Sequence, residues 1–414
     1  MSQPVSTEKS AKPRLIFVNR YYWPDEPATA QLLTDLAEGL AARGWPVVVL
    51  ASQPGGAATP RQETHNGVEI IRTPATRWGR RGVVAKALDF LTFSLGARRV
   101  LRARLRANDR FVAMTDPPTL APIAASVAGR TQARLVHWLQ DIHPEITIAL
   151  SGSRMLAGLC RPWIHWRNAA WQQACACVAI SRDMAALVAE NGVPAGRVRV
   201  IPNWAPGSET MEPVPAEKNA LLHQWGLDGR FVVAYSGNLG RVHALEPLLA
   251  AAVLLRDEPD IRFLFIGSGA QKASLQAMAR AHGLTNVQFH PAQLRTRLAE
   301  SLSVGDVHLV TQRTGCERLV FPSKLYGILA VGRPVVYVGP LHCELAKSVT
   351  DKGVGVAVDV NNPGQIATTL RWLQRDEAQR RLMGQAALRW HRGSGSLKAA
   401  VDAWEELLAV RTDS

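Results

Sequence analysis

Short apolar runs alternate with helical patterns along this 414-residue chain, stop once, and then resume. That rhythm constrains the fold more than any other feature. The first set reads as strands at Arg14–Asn19, Pro46–Ala51, Val68–Arg72, Arg110–Met114, Ala133–Trp138, Ala176–Ile180 and Val198–Ile201. Their nearly unbroken apolar character suits strands covered by helices on both faces. Between the first two runs, Leu32, Leu33, Leu36 and Leu40 recur at helical spacing, and Arg43-Gly44 follows as a last-turn cation and a stop glycine. Strand, helix and strand in this order make a right-handed βαβ unit. Residues 203–219 break the rhythm with three prolines and little apolar content, as an interdomain joint does. Runs then restart at Phe231–Ser236, Ile261–Gly267, Asn286–Phe289, Asp306–Val310, Pro334–Val338 and Gly353–Val358. The expected class is α/β, with a parallel-sheet domain over 14–204, a linker over 205–219, a second over 220–374 and a helical segment over 375–414.

Composition narrows the function classes. With 47% hydrophobic and 20% charged residues, the chain has the balance of a globular protein rather than a disordered one. Its formal charge of +14 is uneven, because residues 1–206 alone carry a net +11. An anionic partner is therefore expected on the N-terminal half. The opening residues lack the apolar core of a secretory signal, and the stretch 83–97 is too short and too charged to span a bilayer. Five scattered cysteines argue against a disulfide framework, so a reduced, cytoplasmic setting is expected.

Ligands of open parallel sheets bind beyond the C-terminal strand ends, so the cleft between two such domains is the natural site. After the strand at 231–236 comes Gly237-Asn238-Leu239-Gly240-Arg241-Val242-His243, whose glycines allow close backbone approach to a phosphate and whose Arg241 and His243 offer charge. A plain βα turn is the alternative. Gly267-Ser268-Gly269 follows the next strand in the same manner. Ser323 and Lys324 fall at an expected helix start after Pro322, either holding a phosphate or simply capping the helix. In the N-terminal domain, Asp141, His143 and Glu145 crowd five positions after a strand, and Asp141 or His143 could orient or deprotonate a hydroxyl. Tyr21-Tyr22-Trp23-Pro24-Asp25-Glu26 follows the first strand and is expected to line the same cleft, with Tyr22 and Trp23 on the acceptor side, while Asn203 sits at the domain joint.

Residues 77–110 hold ten Lys and Arg against two acids, with Leu88, Phe90, Leu91, Phe93 and Leu95 among them. Such a basic amphipathic segment fits an anionic membrane surface better than nucleic acid, although a helix with solvated arginines on a core face is the plain alternative. The chain lacks the P-loop, H-E-x-x-H, G-x-S-x-G and D-x-D patterns, which disfavours P-loop hydrolysis, zinc proteolysis, serine hydrolysis and metal-dependent sugar transfer.

The ordered set of motifs resembles the family 4 glycosyltransferases of the GT-B class, in particular bacterial exopolysaccharide and colanic-acid-type transferases. The likeness covers nearly the whole chain. It rests on Tyr21-Tyr22-Trp23-Pro24, Trp138 to Pro144, Ile180-Ser181, Ile201-Pro202-Asn203-Trp204, Tyr235 to Gly240, Pro322-Ser323-Lys324-Leu325-Tyr326 and Gly332-Arg333-Pro334. The resemblance implies two Rossmann-like domains facing across a cleft, with a nucleotide-sugar donor on the C-terminal one and an acceptor on the N-terminal one. It implies metal-independent, retaining transfer with no cofactor, and a C-terminal helix that crosses back. A lipid-linked saccharide acceptor would fit the basic segment, and so would a peripheral place on the inner face of the cytoplasmic membrane.

The sequence departs from that family pattern at two places. The pair of glutamates separated by seven residues falls on Leu319 and Gly327, and the phosphate-binding Arg and Lys fall near Asn238 and His243. Diphosphate contact is therefore expected from Ser323, Lys324 and the 237–241 loop, and the ribose contact is left open. A nucleotide-sugar epimerase of similar shape and a non-catalytic, membrane-docked assembly protein are the rival functions.

Overall fold

The computed structural model describes residues 12–54, 59–78 and 82–410. The N-terminal sheet contains β1 (Leu15–Val18), β2 (Val47–Ser52), β3 (Gln62–His65), β4 (Val68–Thr73), β5 (Arg110–Met114), β6 (Arg134–Trp138), β7 (Ala176–Ala179) and β8 (Val198–Val200). Their spatial order is β3-β4-β2-β1-β5-β6-β7-β8. Every pairing is parallel except β3 with β4. The C-terminal sheet contains β9 (Phe231–Ser236), β10 (Ile261–Ile266), β11 (Val287–His290), β12 (Val307–Thr311), β13 (Val335–Gly339) and β14 (Gly355–Asp359), all parallel in the order β11-β10-β9-β12-β13-β14.

These are two Rossmann-like layers, and the expected strands are present with ends moved by a residue or two. The strand absent from the sequence expectation is β3. Its residues Gln-Glu-Thr-His are polar and partly exposed, so they form no apolar run. The joining Asn66 and Gly67 both have positive φ, 45° and 79°, as a tight hairpin turn between twisted strands requires. That Asn-Gly pair was the available signal.

Both faces of the N-terminal sheet are covered because strand side chains alternate. Ile16, Val18, Val48 and Leu50 pack with residues of the helices Val83–Arg104 and Leu120–Thr131. Leu15, Phe17, Val47 and Val49 pack with the helix Ala28–Ala42 and with the helix Leu397–Ala409, which returns from the far end of the chain. Trp404 anchors that return, fully buried, with its ring 5.1 Å from Trp138 and 6.5 Å from Phe17. Glu405 beside it receives Lys12 at 2.5 Å, Arg43 at 2.9 Å and the Trp45 indole at 3.0 Å. The helices meet closely: a Cβ on Gly39 would lie 2.9 Å from Val401 Cγ2.

In each sheet the strand order reverses at one point, between β1 and β5 and between β9 and β12. The loops leaving those strand ends are where such sheets hold ligands.

Candidate active site

Three loops at the N-terminal reversal point enclose a cleft of about 620 Å³. Arg20 and Tyr21 come from the end of β1, Asp116 from the end of β5, and Asp141 and His143 from the end of β6. Lys86, Phe90 and Trp163 complete the walls from two helices. The backbone ties the loops together. Arg20 N–H donates to the Asp116 carbonyl at 2.8 Å, and Thr115 Oγ1 accepts from the amides of Gln140 and Asp141, each at 3.4 Å. Asp141 is open to the cleft yet ringed by protein, and lost hydration followed by the charge of Asp116 pushes its carboxyl up to about 6. Lost hydration likewise raises Asp116 to about 6, against the opposing pull of Arg20 and Lys86. Burial and the nearby Lys86 lower the His143 pKa, so that imidazole is held neutral. Arg167 fixes the His143 segment by donating to its carbonyl at 2.9 Å and pairing both Glu145 oxygens at 2.6 Å.

Other residues expected on this side are placed differently. Tyr22 is 1% exposed within the core, because the side chain after the strand end alternates inward; Tyr21 is the one facing the cleft. Trp23 stacks on His65 with ring centres 3.8 Å apart, which directs it toward the β3–β4 hairpin. Asn203 is buried and exchanges amide hydrogen bonds with Gln140 at 2.8 and 3.1 Å. It braces the loop that carries Asp141 and does not reach the cleft itself.

On the C-terminal side the two glycine loops pack against each other. A Cβ on Gly267 would stand 2.1 Å from the Gly237 carbonyl oxygen, and one on Gly269 would stand 2.5 Å from the Leu239 carbonyl carbon. The amide of Gly237 donates to Ile266 O at 2.9 Å and that of Leu239 to Ser268 O at 2.8 Å. Those two amides are spent on the fold, so the expected backbone phosphate cradle does not include them. Gln271 locks the turn further, donating to Gly240 O at 2.6 Å and His243 O at 3.0 Å. Asn238 and Ser268 are exposed at the loop tips.

Lys324 emerges beneath this turn, where a Cβ on Gly237 would meet its Cε at 3.4 Å. Its ammonium lies 3.6 Å from the centre of the Tyr235 ring and contacts the phenol oxygen. Tyr235 in turn donates to Asn238 O at 2.9 Å. Desolvation drives the Lys324 pKa well below the ordinary lysine value. Ser323 precedes the short helix Lys324–Ala330, and its hydroxyl makes no capping hydrogen bond there. Arg241 is exposed above the same turn. His243 is buried, with Nδ1 2.8 Å from Thr311 O, and burial pushes its pKa down to about 3. A neutral, structural imidazole thus replaces the phosphate-binding charge expected at that position.

The halves meet through the segment before Ser323. Ile142 N–H donates to Leu319 O at 3.0 Å. Leu319 and Val320 join the core of the N-terminal domain, and so does Cys316. Glu344 N–H donates to Asp183 at 2.6 Å, and Arg318 pairs with Glu190 at 2.7 Å. At the two positions of the absent glutamates, Leu319 is therefore an interdomain plug, and a Cβ on Gly327 would meet Leu302 Cδ1 at 3.1 Å. Asp116 lines the cleft although the sequence motifs did not include it, whereas Tyr21 and Tyr235 lie within motifs already noted. For Asp116 the signal was an acid directly after a strand, in Thr115-Asp116-Pro117-Pro118.

Apolar stripes flank the cleft. Val84, Leu88, Leu91 and Leu95 form one exposed row on the helix Val83–Arg104, and Met155, Leu159 and Trp166 another on the helix Arg154–Gln173. Val84 and Met155 are each 76% exposed. Within the basic segment, Phe93 is instead core, and Asp89 is a buried partner of Arg20 at 3.1 Å. Arg77 and Arg104 are ion-paired with Asp25 and Glu69. The Arg98 and Arg130 charges crowd Arg102 and lower its pKa. Arg80 and Arg81 lie outside the described residues. No helix among the described residues is long and apolar enough to cross a membrane.

Two parallel-sheet lobes, joined where Ile142 meets Leu319, have the architecture of the GT-B class. The sequence matches the glycosyl transferase 4-like domain over residues 29–204 and the glycosyl transferases group 1 domain over 218–390. The chain belongs to the family 4 glycosyltransferases of GT-B fold. It is 29% identical over 364 residues to the Escherichia coli (strain K12) protein named as colanic acid biosynthesis glycosyl transferase WcaI, covering 84% of this chain and 89% of that one. It is 29% identical over 273 residues to the Pseudomonas aeruginosa protein named glycosyltransferase WbjE, covering 64% and 66%. Among solved structures, sucrose-phosphate synthase of Thermosynechococcus elongatus superposes with a TM-score of 0.75 at 17% identity, covering 96% of this chain and 98% of that one. Anabaena HepE, solved in complex with UDP-glucose, gives 0.73 at 15%, covering 96% and 99%. WaaG, a glycosyltransferase involved in lipopolysaccharide biosynthesis, gives 0.71 at 15%, covering 96% and 100%. These structures share the fold.

Proposed function

We propose that the enzyme transfers a sugar from a nucleoside-diphosphate sugar to a lipid-linked saccharide, with retention at the anomeric carbon and without a metal ion, in exopolysaccharide or cell-surface polysaccharide synthesis. The Ile142–Leu319 hydrogen bond carries the proposal. It holds the Asp141 carboxylate one residue from the interdomain contact and Lys324 five residues from it on the other side. The fold shared with HepE, whose structure contains UDP-glucose, supports a nucleotide-sugar donor.

The acceptor oxygen bonds to the anomeric carbon as the bond to the diphosphate breaks, on the same face, and the hydroxyl proton leaves with the diphosphate. Lys324 and Arg241 supply the positive charge that stabilises the leaving group, which is the role a metal ion would otherwise fill. Asp141 orients the acceptor hydroxyl. The exposed apolar rows on both sides of the cleft, with Lys86 and Arg102 near them, would rest on the inner face of the membrane where a lipid-linked acceptor resides.

The test is an assay of purified protein with a panel of labelled nucleotide sugars and polyprenyl-diphosphate-linked saccharides, with and without EDTA. Transfer that survives EDTA and gives a product with the donor's anomeric configuration supports the proposal. Sugar inversion without an acceptor would instead assign an epimerase. No turnover and no stabilisation by any nucleoside diphosphate would leave the assembly role.

A further inference from the structure

The acceptor cleft contains a second carboxylate besides Asp141. Asp116 enters from the neighbouring strand end, its backbone pinned by Arg20 N–H and its preceding residue, Thr115, bonded to the amide of Asp141. The two side chains line one cleft, and the charge of Asp116 is felt at Asp141.

The charged groups facing the pair define what can bind between them. Arg20 reaches from the β1 loop, but its guanidinium is committed to Asp89 in a buried ion pair at 3.1 Å. Lys86 stands on the helix across the cleft, exposed at the rim. His143 is held neutral, and Glu145 behind it is occupied by Arg167. The Tyr21 phenol has its pKa raised by burial and adds no charge. Aromatic faces from Phe90 and Trp163 close the sides. Such a floor repels phosphate and suits a neutral, polyhydroxylated ring. A phosphate on the same molecule fits only near Lys86.

We propose that Asp116 and Asp141 form one acceptor-binding pair that grips two neighbouring hydroxyls of a neutral saccharide. The inference rests on the glycosyltransferase reading of the cleft and adds the chemical class of the acceptor's terminal sugar. Both carboxyl groups in this poorly hydrated cleft hold their protons more tightly than usual, so near pH 6 one can be protonated while the other is ionised. One carboxyl group then accepts a hydrogen bond from the attacking hydroxyl, and the other donates one to the adjacent oxygen. A uronic or otherwise anionic terminal sugar is excluded by the remaining charge.

The experiment compares wild type, Asp116→Asn and Asp141→Asn for transfer, for donor hydrolysis and for stabilisation by a nucleoside diphosphate. Asp116→Asn is expected to raise the acceptor KM by about tenfold or more, as loss of a charged hydrogen bond does, while stabilisation by a nucleoside diphosphate stays at the wild-type value. Wild-type transfer should fall off below a pH of about 6, and Asp116→Asn should move that acid limb to lower pH because it removes the neighbouring charge. A folded Asp116→Asn with unchanged acceptor KM and an unchanged limb would overturn the pair. Carboxyl NMR of aspartate-labelled wild type covers a variant that does not fold. Two coupled titrations with one above about 5 support the pair, and independent titrations near the ordinary aspartate value of about 4 defeat it. If no nucleoside diphosphate binds and no donor is consumed, the transferase reading itself fails, which is a separate result.

Discussion

The ammonium of Lys324 sits 3.6 Å above the Tyr235 ring, where desolvation alone holds its pKa far below 10.5. A diphosphate placed against it opposes that desolvation and raises the pKa, so donor binding favours the protonated form and takes up protons wherever Lys324 is not already fully charged. Affinity is then fully present at pH values below the depressed pKa of the free enzyme and declines as pH rises from there toward 10.5. Calorimetry of nucleoside diphosphate binding in two buffers of different ionisation enthalpy reads that uptake directly. Lys324→Met should abolish it and weaken binding roughly 10- to 100-fold, the worth of a charged hydrogen bond. Equal heats in both buffers for wild type would contradict this account.

Restoring the family's glutamates should damage the protein rather than improve it. Leu319 is a buried plug in the neighbouring domain's core, and Gly327 has Leu302 against its face. Leu319→Glu would bury an unpaired carboxylate, and a loss of about 3 kcal/mol or more in unfolding free energy is expected. Denaturant unfolding measures it. A stable, more active Leu319→Glu variant would show that the donor site here uses the common acidic clamp after all.

How far the sequence alone could reach follows from what each position depends on. The strands of both sheets were legible because a fully covered parallel strand must be apolar along its length. β3 was not, since one edge strand with an exposed face carries no such run, and only Asn66-Gly67 marked it. The order of loops singled out the Asp141 and Lys324 regions as loops that follow strand ends. It could not say that the amides of Gly237 and Leu239 are consumed by the adjacent loop, because that depends on two segments meeting in space. The same limit explains His243. A histidine beside a glycine turn looks like an anion ligand until burial is known. Tyr21 and Tyr22 differ only in which side of the chain each faces, and a strand end without further pattern does not set that.

The returning C-terminal helix should be a principal support of the N-terminal domain. Trp404→Ala removes a fully buried indole from contact with Trp138 and Phe17, and about 3–5 kcal/mol of stability should go with it. Gly39→Ala should also destabilise, through the 2.9 Å approach to Val401. Glu405 adds a pH signature. Lys12, then Trp45 and Arg43, hold its carboxyl down to about 2. A depressed carboxylate pKa contributes stability above 4.5 that disappears as pH falls to about 2. Discounted for its partial exposure, that contribution is on the order of 1–2 kcal/mol. Thermal unfolding of Glu405→Gln against wild type should therefore differ at pH 7 and converge in strong acid.

Membrane contact can be separated from catalysis by the exposed row on the helix Val83–Arg104. Leu88, Leu91 and Leu95 face solvent, so replacing all three with Ser removes apolar surface without opening the core formed by Phe93, Ala97 and Leu101. Each side chain fully transferred to an apolar phase is worth about 1.5–3 kcal/mol. Partial insertion of three of them should still shift vesicle partitioning by about a hundredfold. The measurement is flotation with vesicles containing anionic phospholipid, at low and high salt. Wild type should float in low salt and be partly released by high salt, because the basic residues beside the row contribute a screened attraction. The triple Ser variant should stay at the bottom of the gradient at both salts, while its melting temperature and its response to nucleoside diphosphate remain those of wild type. Equal flotation of the two proteins would place the membrane surface elsewhere on the chain, or nowhere on it.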